Sequence, residues 1–112
     1  MDWIQLTKSS QLEDLIAESQ EKAVVIFKNS TRCFISKFAL KNFQSSFSNS
    51  THVSCYMVDV VADRLISLEI AEVFKVEHQS PQILIVSKGQ AVFNTSHESI
   101  DGAQVEKLLL RL

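Results

Sequence analysis

The hydrophobic positions along the chain fall into two kinds of run. Three segments are short, continuous, apolar and rich in β-branched residues: "AVVIFK", "HVSCYMVDVV" and "QILIVS". Continuous runs of this kind are typical of strands buried on both faces. Two shorter strand candidates are "WIQL" near the start and "AVFNT" after the tight turn "KGQ". The pattern therefore predicts five strands.

Between these runs the apolar residues recur at three- and four-residue steps, which predicts helices. The first helix is capped by Ser9 or Ser10 and continues through Gln20. The second follows the polar turn after Lys28 and extends to about Phe47. The third and fourth are capped by Asp63 and Asp101, because a side-chain oxygen at this position satisfies free backbone N–H groups.

The predicted order is β-α-β-α-β-α-β-β-α. Helical crossovers require parallel pairing of the early strands, whereas the short "KGQ" connection makes the last two strands antiparallel neighbours. A mixed sheet with helices on both faces is the pattern of a three-layer, thioredoxin-like α/β domain. No linker or repeat divides the chain, so we expect one domain over residues 1–112.

Composition narrows the range of partners. The chain is 46% hydrophobic and 21% charged, with a net charge of −2, which fits a soluble globular protein without a basic field for nucleic acid. Its longest apolar runs are about six residues, short of the ~20 that a membrane helix needs. The start "MDWIQL" has no secretory pattern. With only two cysteines there is no disulfide framework, so we expect a reducing, cytoplasmic setting.

Cys33 is the candidate for chemistry because it lies where the polar turn "NSTR" meets the second helix. A helix N-terminus stabilises a thiolate and lowers the thiol pKa, and Lys28 and Arg32 add positive charge nearby. The alternative is a buried thiol that serves only as a small hydrophobe. We assign that role to Cys55, which lies inside a strand, and predict no disulfide between the two cysteines.

Ser36 stands three residues after Cys33, in "CFIS", where a dithiol oxidoreductase would carry a second cysteine. Serine cannot complete a disulfide. Its hydroxyl has two possible roles: it donates to the Cys33 thiolate, or it bonds to the first helical turn. A mixed disulfide formed on Cys33 must therefore be resolved by a second molecule.

Other polar residues give weaker signals. In "HQSPQILIV" the single proline, Pro81, precedes a strand, and within a thioredoxin-like order we expect the Ser80–Pro81 bond to be cis. His78 either tunes Cys33 or forms a hydrogen bond within its loop, and the loop role is favoured. Asp59 is expected to be solvated or capping rather than catalytic. The histidines lack metal-ligand spacing, so no metal site is predicted.

Two segments carry a resemblance to a known family: "FKNSTRCFISKFALKNF" and "VDVVADRLISLEIAEVFKVEHQSPQILIVSKG". The chain resembles the YtxJ family of thioredoxin-like proteins, the monothiol bacilliredoxins, over essentially its whole length. That family has T-C-P-I-S at the helix start and H-x-S-P-Q before the fourth strand. Here Arg32 replaces the threonine and Phe34 replaces the proline.

The resemblance implies a stress-response enzyme that removes bacillithiol, a low-molecular-weight thiol, from client cysteines. Cys33 would accept the thiol as a mixed disulfide, and a second cofactor thiol would regenerate it. Ser80 and Pro81 would line the site, Thr31 and Arg32 would form its rim, and Arg32 would meet the cofactor carboxylates. The implied protein binds no resident cofactor, and we expect a monomer or weak dimer.

Two other functions are weighed against this one. In the first, the chain is a non-enzymatic thioredoxin-like interaction or stress module with a tolerated thiol. In the second, it is a cluster-carrying monothiol glutaredoxin, since "CFIS" is similar to C-G-F-S. The second is disfavoured because Phe34 fills the space that a glycine leaves open, and because no Gly-Gly pair follows the fourth strand.

Overall fold

A computed structural model describes the chain over residues 1–112. The strands are β1 (Trp3–Gln5), β2 (Val24–Asn29), β3 (Cys55–Asp59), β4 (Gln82–Ser87) and β5 (Gln90–Ser96). The helices are α1 (Ser9–Glu21), α2 (Phe34–Ser46), α3 (Arg64–Phe74) and α4 (Gly102–Leu110), with a 3₁₀ turn at His97–Ser99 before α4. The predicted element order is confirmed.

The five strands form one mixed sheet in the order β1-β3-β2-β4-β5. Strand β3 pairs in parallel with both β1 and β2, whereas β4 is antiparallel to β2 and β5. The carboxyl ends of β2 and β3 therefore lie at the same edge of the sheet as the start of β4. This edge receives the turn that carries Cys33.

The sheet is covered on both faces, as a three-layer α/β domain requires. One core packs α2 and α4 against alternate strand residues such as Phe27 and Ile85. The other packs α1 and α3 against the intervening residues, such as Ile26 and Leu84. Successive side chains of a strand point to opposite faces, so the continuous apolar runs serve both cores. None of the helices has the length and apolar character needed to cross a membrane.

The predicted N-cap residues of the helices are confirmed only in part. Asp101 caps α4 as predicted, its Oδ1 accepting from the Ala103 N–H at 3.0 Å. Asp63 occupies the cap position of α3, but its side chain makes no cap hydrogen bond. The prediction for α1 was wrong, because its cap residue is Lys8, one residue earlier than expected. The Gln11 side chain accepts from the Lys8 N–H at 3.0 Å and so compensates for the missing hydroxyl.

Strand β3 is shorter than the apolar run "HVSCYMVDVV" suggested. It ends at Asp59, whose Oδ1 accepts from the Val61 N–H at 2.9 Å and the Ala62 N–H at 3.2 Å. These bonds turn the chain toward α3 and end the sheet pairing. Asp59 is thus a turn-capping residue, in agreement with the prediction.

Phenylalanines divide between the core and the surface. Phe43 and Phe47 are buried and stack with their ring centroids 4.7 Å apart, and the partly buried Trp3 packs against Phe43. Phe34 and Phe38 on α2 are instead 82% and 62% exposed. Core packing therefore accounts for Phe43 and Phe47 but not for the two phenylalanines at the start of α2, beside the thiol.

Candidate active site

Local hydrogen bonds shape the turn between β2 and α2. The Cys33 N–H donates to the Ser30 carbonyl at 3.1 Å, and the Cys33 carbonyl accepts from the Lys37 N–H at 3.3 Å. Cys33 is the N-cap residue of α2, with extended backbone angles. Its side chain thus stands in front of the free N–H groups of the first helical turn. The predicted position of the thiol is confirmed.

The thiol is partly exposed, and its surroundings favour the thiolate. The backbone N–H of Ser36 makes the largest contribution to lowering the pKa of Cys33, and the Ile35 N–H and the Ser36 hydroxyl act in the same direction against a partial burial that raises it. The Cys33 side chain does not itself make a capping hydrogen bond to α2. Lys28 and Arg32, which we expected to add positive charge, do not contribute to the shift.

Ser36 acts on the thiol, as one of the two predicted roles requires, but it bonds to the turn before α2 and not to the first helical turn. Its side chain is fully buried, and its Oγ accepts from the Ser30 N–H at 3.2 Å, which ties the turn to the helix. The same hydroxyl lowers the pKa of Cys33, although less than the Ser36 backbone N–H does. Ser36 is therefore mainly a structural support for the turn.

The Ser80–Pro81 peptide bond is cis, as expected. Pro81 is buried, and its carbonyl accepts from the His97 N–H at 3.0 Å, so the 3₁₀ turn packs directly against it. Because β4 is antiparallel to β2, this bond lies at the edge of the sheet where β2 enters the thiol turn. Helix N-terminus and cis-proline thus meet at one edge.

Two buried polar atoms at this edge lack a hydrogen-bond partner within the protein: Asn29 Oδ1 and Ser80 Oγ. The β2–β4 register pairs Lys28 with Gln82, which places Asn29 one residue beyond that pair, at the level of Pro81. Ser80 was predicted to line the site, but Asn29 was not. The available signal was an amide residue that ends an otherwise apolar strand.

The remaining predicted residues occupy distinct positions. Thr31 and Arg32 are exposed on the turn, and the Thr31 hydroxyl donates to Asp59 Oδ2 at 3.4 Å. Phe34 is 82% exposed, so its ring packs against little of the protein. The predicted loop bond of His78 was wrong, because its Nδ1 lies 3.1 Å from Nζ of Lys28, which belongs to strand β2.

The second cysteine does not belong to the site. Cys55 is 2% exposed, and burial together with the charge of Glu106 raises its pKa to about 11. Both cysteines are free thiols. No group of three or more His, Cys, Asp or Glu side chains is arranged to hold a metal ion.

We expect the pH dependence of Cys33 alkylation to have its midpoint below the ordinary thiol value of about 8.5. The thiolate persists to lower pH because the helix N–H groups stabilise it. A Ser36→Ala variant should keep most of this shift, since the larger contribution comes from the Ser36 backbone, which alanine also has. Iodoacetamide rates between pH 5 and 10 test both statements. A midpoint that returns to about 8.5 in Ser36→Ala would assign the effect to the hydroxyl instead.

This combination of fold and site defines a class: a thioredoxin-fold protein with one helix-capping thiol, a serine at the resolving position and a cis-proline at the same edge. A family model for the monothiol bacilliredoxin BrxC matches residues 4–105. The chain therefore belongs to the monothiol bacilliredoxin family, as its resemblance suggested. Its activity class is thiol–disulfide oxidoreductase.

Solved structures agree with this assignment. A protein described as a candidate oxidoreductase with a thioredoxin fold is 31% identical, with a TM-score of 0.81, over 93% of this chain and 90% of the other. Thioredoxin from Fasciola hepatica is 19% identical, with a TM-score of 0.70 and 96% of each chain covered. Oxidised mitochondrial thioredoxin 3 from Saccharomyces cerevisiae is 20% identical, with a TM-score of 0.72 over 98% and 95%. The two thioredoxins are similar in fold alone.

Proposed function

We propose that this protein removes bacillithiol from S-thiolated client proteins in a reducing cytoplasm. The observation that carries the proposal is the solvent-accessible Cys33 at the N-terminus of α2, with Ser36 rather than a second thiol behind it. The helix supplies an activated nucleophile, and the serine limits it to a mixed disulfide.

The reaction proceeds in two balanced exchanges. The Cys33 thiolate attacks the bacillithiol sulfur of the client mixed disulfide, so the client leaves as a thiolate and Cys33 carries the bacillithiol. A second bacillithiol thiolate then attacks the bacillithiol sulfur on Cys33. Cys33 leaves as a thiolate and the oxidised bacillithiol dimer is released. No electrons are left over, and no resident cofactor takes part.

The surface beside Cys33 suits a protein client. Phe34, Ile35 and Phe38 form an exposed apolar strip on α2, being 82%, 47% and 62% exposed. A cleft of about 60 Å³ lies between this strip and the 3₁₀ turn, reaching His97. The occupant is a cysteine-bearing segment of the client, because the bacillithiol sulfur bonded to that cysteine must reach Cys33, and the neighbouring client residues must then cover the adjacent strip. Exposed apolar patches of this kind mark interaction sites.

Other groups at the same edge support binding of the client and of bacillithiol. The cis peptide bond between Ser80 and Pro81 lies at this edge, where an extended client segment would lie. Arg32 is exposed directly before the thiol, and its guanidinium suits the carboxylates of bacillithiol. The protein acts as a monomer, or at most a weak dimer, since dimerisation through the apolar strip would block the client.

The test is a single-cysteine client protein carrying a bacillithiol mixed disulfide, incubated with the protein and followed by intact-mass analysis. We expect the client to lose the modification while Cys33 gains one bacillithiol, which added free bacillithiol removes. A parallel client carrying glutathione should react more slowly. Equal rates would contradict selectivity for bacillithiol. An unchanged client without an adduct would contradict the enzyme and favour the non-enzymatic interaction module.

A further inference from the structure

Lys28 is a buried lysine in a strand that is otherwise apolar. It is 0% exposed and lies on the face of the sheet that α1 and α3 cover, opposite Val58 of β3 and Gln82 of β4. Its one side-chain hydrogen bond joins Nζ to His78 Nδ1 at 3.1 Å. No carboxylate pairs with it. A buried ammonium group with one neutral partner opposes folding, because the charge loses its hydration.

The protonation states of the two groups suit this bond. Burial lowers the pKa of Lys28 to about 8, so the amine remains mostly protonated at neutral pH. Burial, followed by the charges of Lys28 and Arg64, lowers the pKa of His78, which keeps the imidazole neutral. Since Nδ1 accepts from the ammonium group, the ring proton resides on Nε2. The bond is therefore a charge-assisted one with a defined tautomer.

The bond is one of three contacts that hold the segment before the cis-proline. His78 lies two residues before Ser80 and three before Pro81. The buried Gln82 side chain donates from Nε2 to the Glu77 carbonyl at 3.0 Å. Its Oε1 accepts from the Gln79 N–H at 3.4 Å. Lys28 of β2 and Gln82 of β4 pair across the two strands, and their side chains thus hold residues 77–79 in place.

We propose that Lys28 is a positioning residue for thiol exchange, holding His78 so that the backbone at Ser80 and Pro81 keeps the geometry that receives the client. The inference rests on the proposed function. An apolar side chain of similar length would pack well among the neighbours of Lys28 and would avoid the cost of burying a charge. Packing alone therefore gives no reason for a lysine here, whereas anchoring of the segment does.

A Lys28→Met variant separates positioning from packing. We expect its thermal midpoint to be no lower than that of the wild type, because a desolvated charge has been removed. Alkylation of Cys33 by iodoacetamide should be unchanged, since the N-terminus of α2 controls the thiolate. Exchange with the bacillithiol-modified client should fall by roughly tenfold to a hundredfold, the range that misplaced reacting groups cause. The ¹⁵N signal of His78 Nδ1 should also lose its hydrogen-bonded shift.

Two substitutions at His78 provide the matched pair, and they decide the question if Lys28→Met does not fold. His78→Asn places its amide oxygen near the position of Nδ1, where Lys28 can still donate, and should retain most of the exchange rate. His78→Gln places its amide near Nε2 and should be slow like Lys28→Met. Wild-type exchange in Lys28→Met, or a His78→Gln variant as fast as His78→Asn, would overturn the proposal. Absence of exchange in the wild type would instead refute the proposed function.

Discussion

Replacing Cys33 with serine is expected to abolish bacillithiol transfer from the client, with a loss of more than about a thousandfold, because a hydroxyl is not ionised at neutral pH and cannot form the mixed disulfide. The fold should be unaffected, since Cys33 is a partly exposed cap residue and serine is a favoured N-cap. Client release measured by intact mass, with circular dichroism as the folding check, tests the prediction.

The matched control is Cys55→Ala. Cys55 is 2% exposed, and its pKa is raised to about 11, so it offers neither access nor thiolate. We expect normal exchange from this variant, with a stability loss of about 1 kcal/mol or less from the small cavity. A variant that combines Cys33→Ser with Cys55→Ala completes the comparison. If Cys33→Ser retains some bacillithiol transfer and the combined variant has none, then Cys55 carries out the exchange, which would contradict the single-thiol mechanism.

Replacing Gly102 with alanine is expected to lower the free energy of unfolding by about 3 kcal/mol. A Cβ at this position would lie 2.3 Å from the Phe43 carbonyl oxygen and 2.8 Å from the Phe47 nitrogen, both backbone atoms of the α2 region. These atoms cannot rotate away, so α4 would have to separate from α2. Urea denaturation monitored by circular dichroism measures the change.

The neighbouring position supplies the control. Ala103 is exposed in the same helical turn, and Ala103→Gly tests the backbone preference of that turn without any clash. It should cost about 1 kcal/mol or less, the ordinary difference between alanine and glycine in a helix. If Gly102→Ala proves as mild as this control, then α4 moves freely on α2, and the close packing does not stabilise the fold.

Gly102 also shows which structural features can be predicted from the sequence and which cannot. The sequence placed a helix start there, after Asp101, and the structure confirms both the helix and the cap. The sequence did not indicate that a glycine is needed here for the close approach of α2. Cap chemistry is local and involves residues two positions apart, whereas the clash involves residues about sixty positions away along the chain.

The candidate site divides in the same way. The position of Cys33, the absence of a resolving thiol and the cis-proline segment were all predicted, because each depends on a short motif or on the order of strands and helices. The contribution of Lys28 was predicted wrongly. Its charge was expected to act on the thiol, but strand alternation directs the side chain to the α1 and α3 face, where it bonds His78.

The amino-acid sequence by itself determined the element order, the mixed three-layer sheet and a lone helix-capping thiol, since these follow from hydrophobic periodicity and local turn chemistry. Only the tertiary structure decided which groups act on that thiol, that Asn29 and Ser80 lack partners, and that Phe34 and Phe38 stay exposed. The physical reason is that pKa shifts, unpartnered polar atoms and burial depend on atoms brought together from distant parts of the chain.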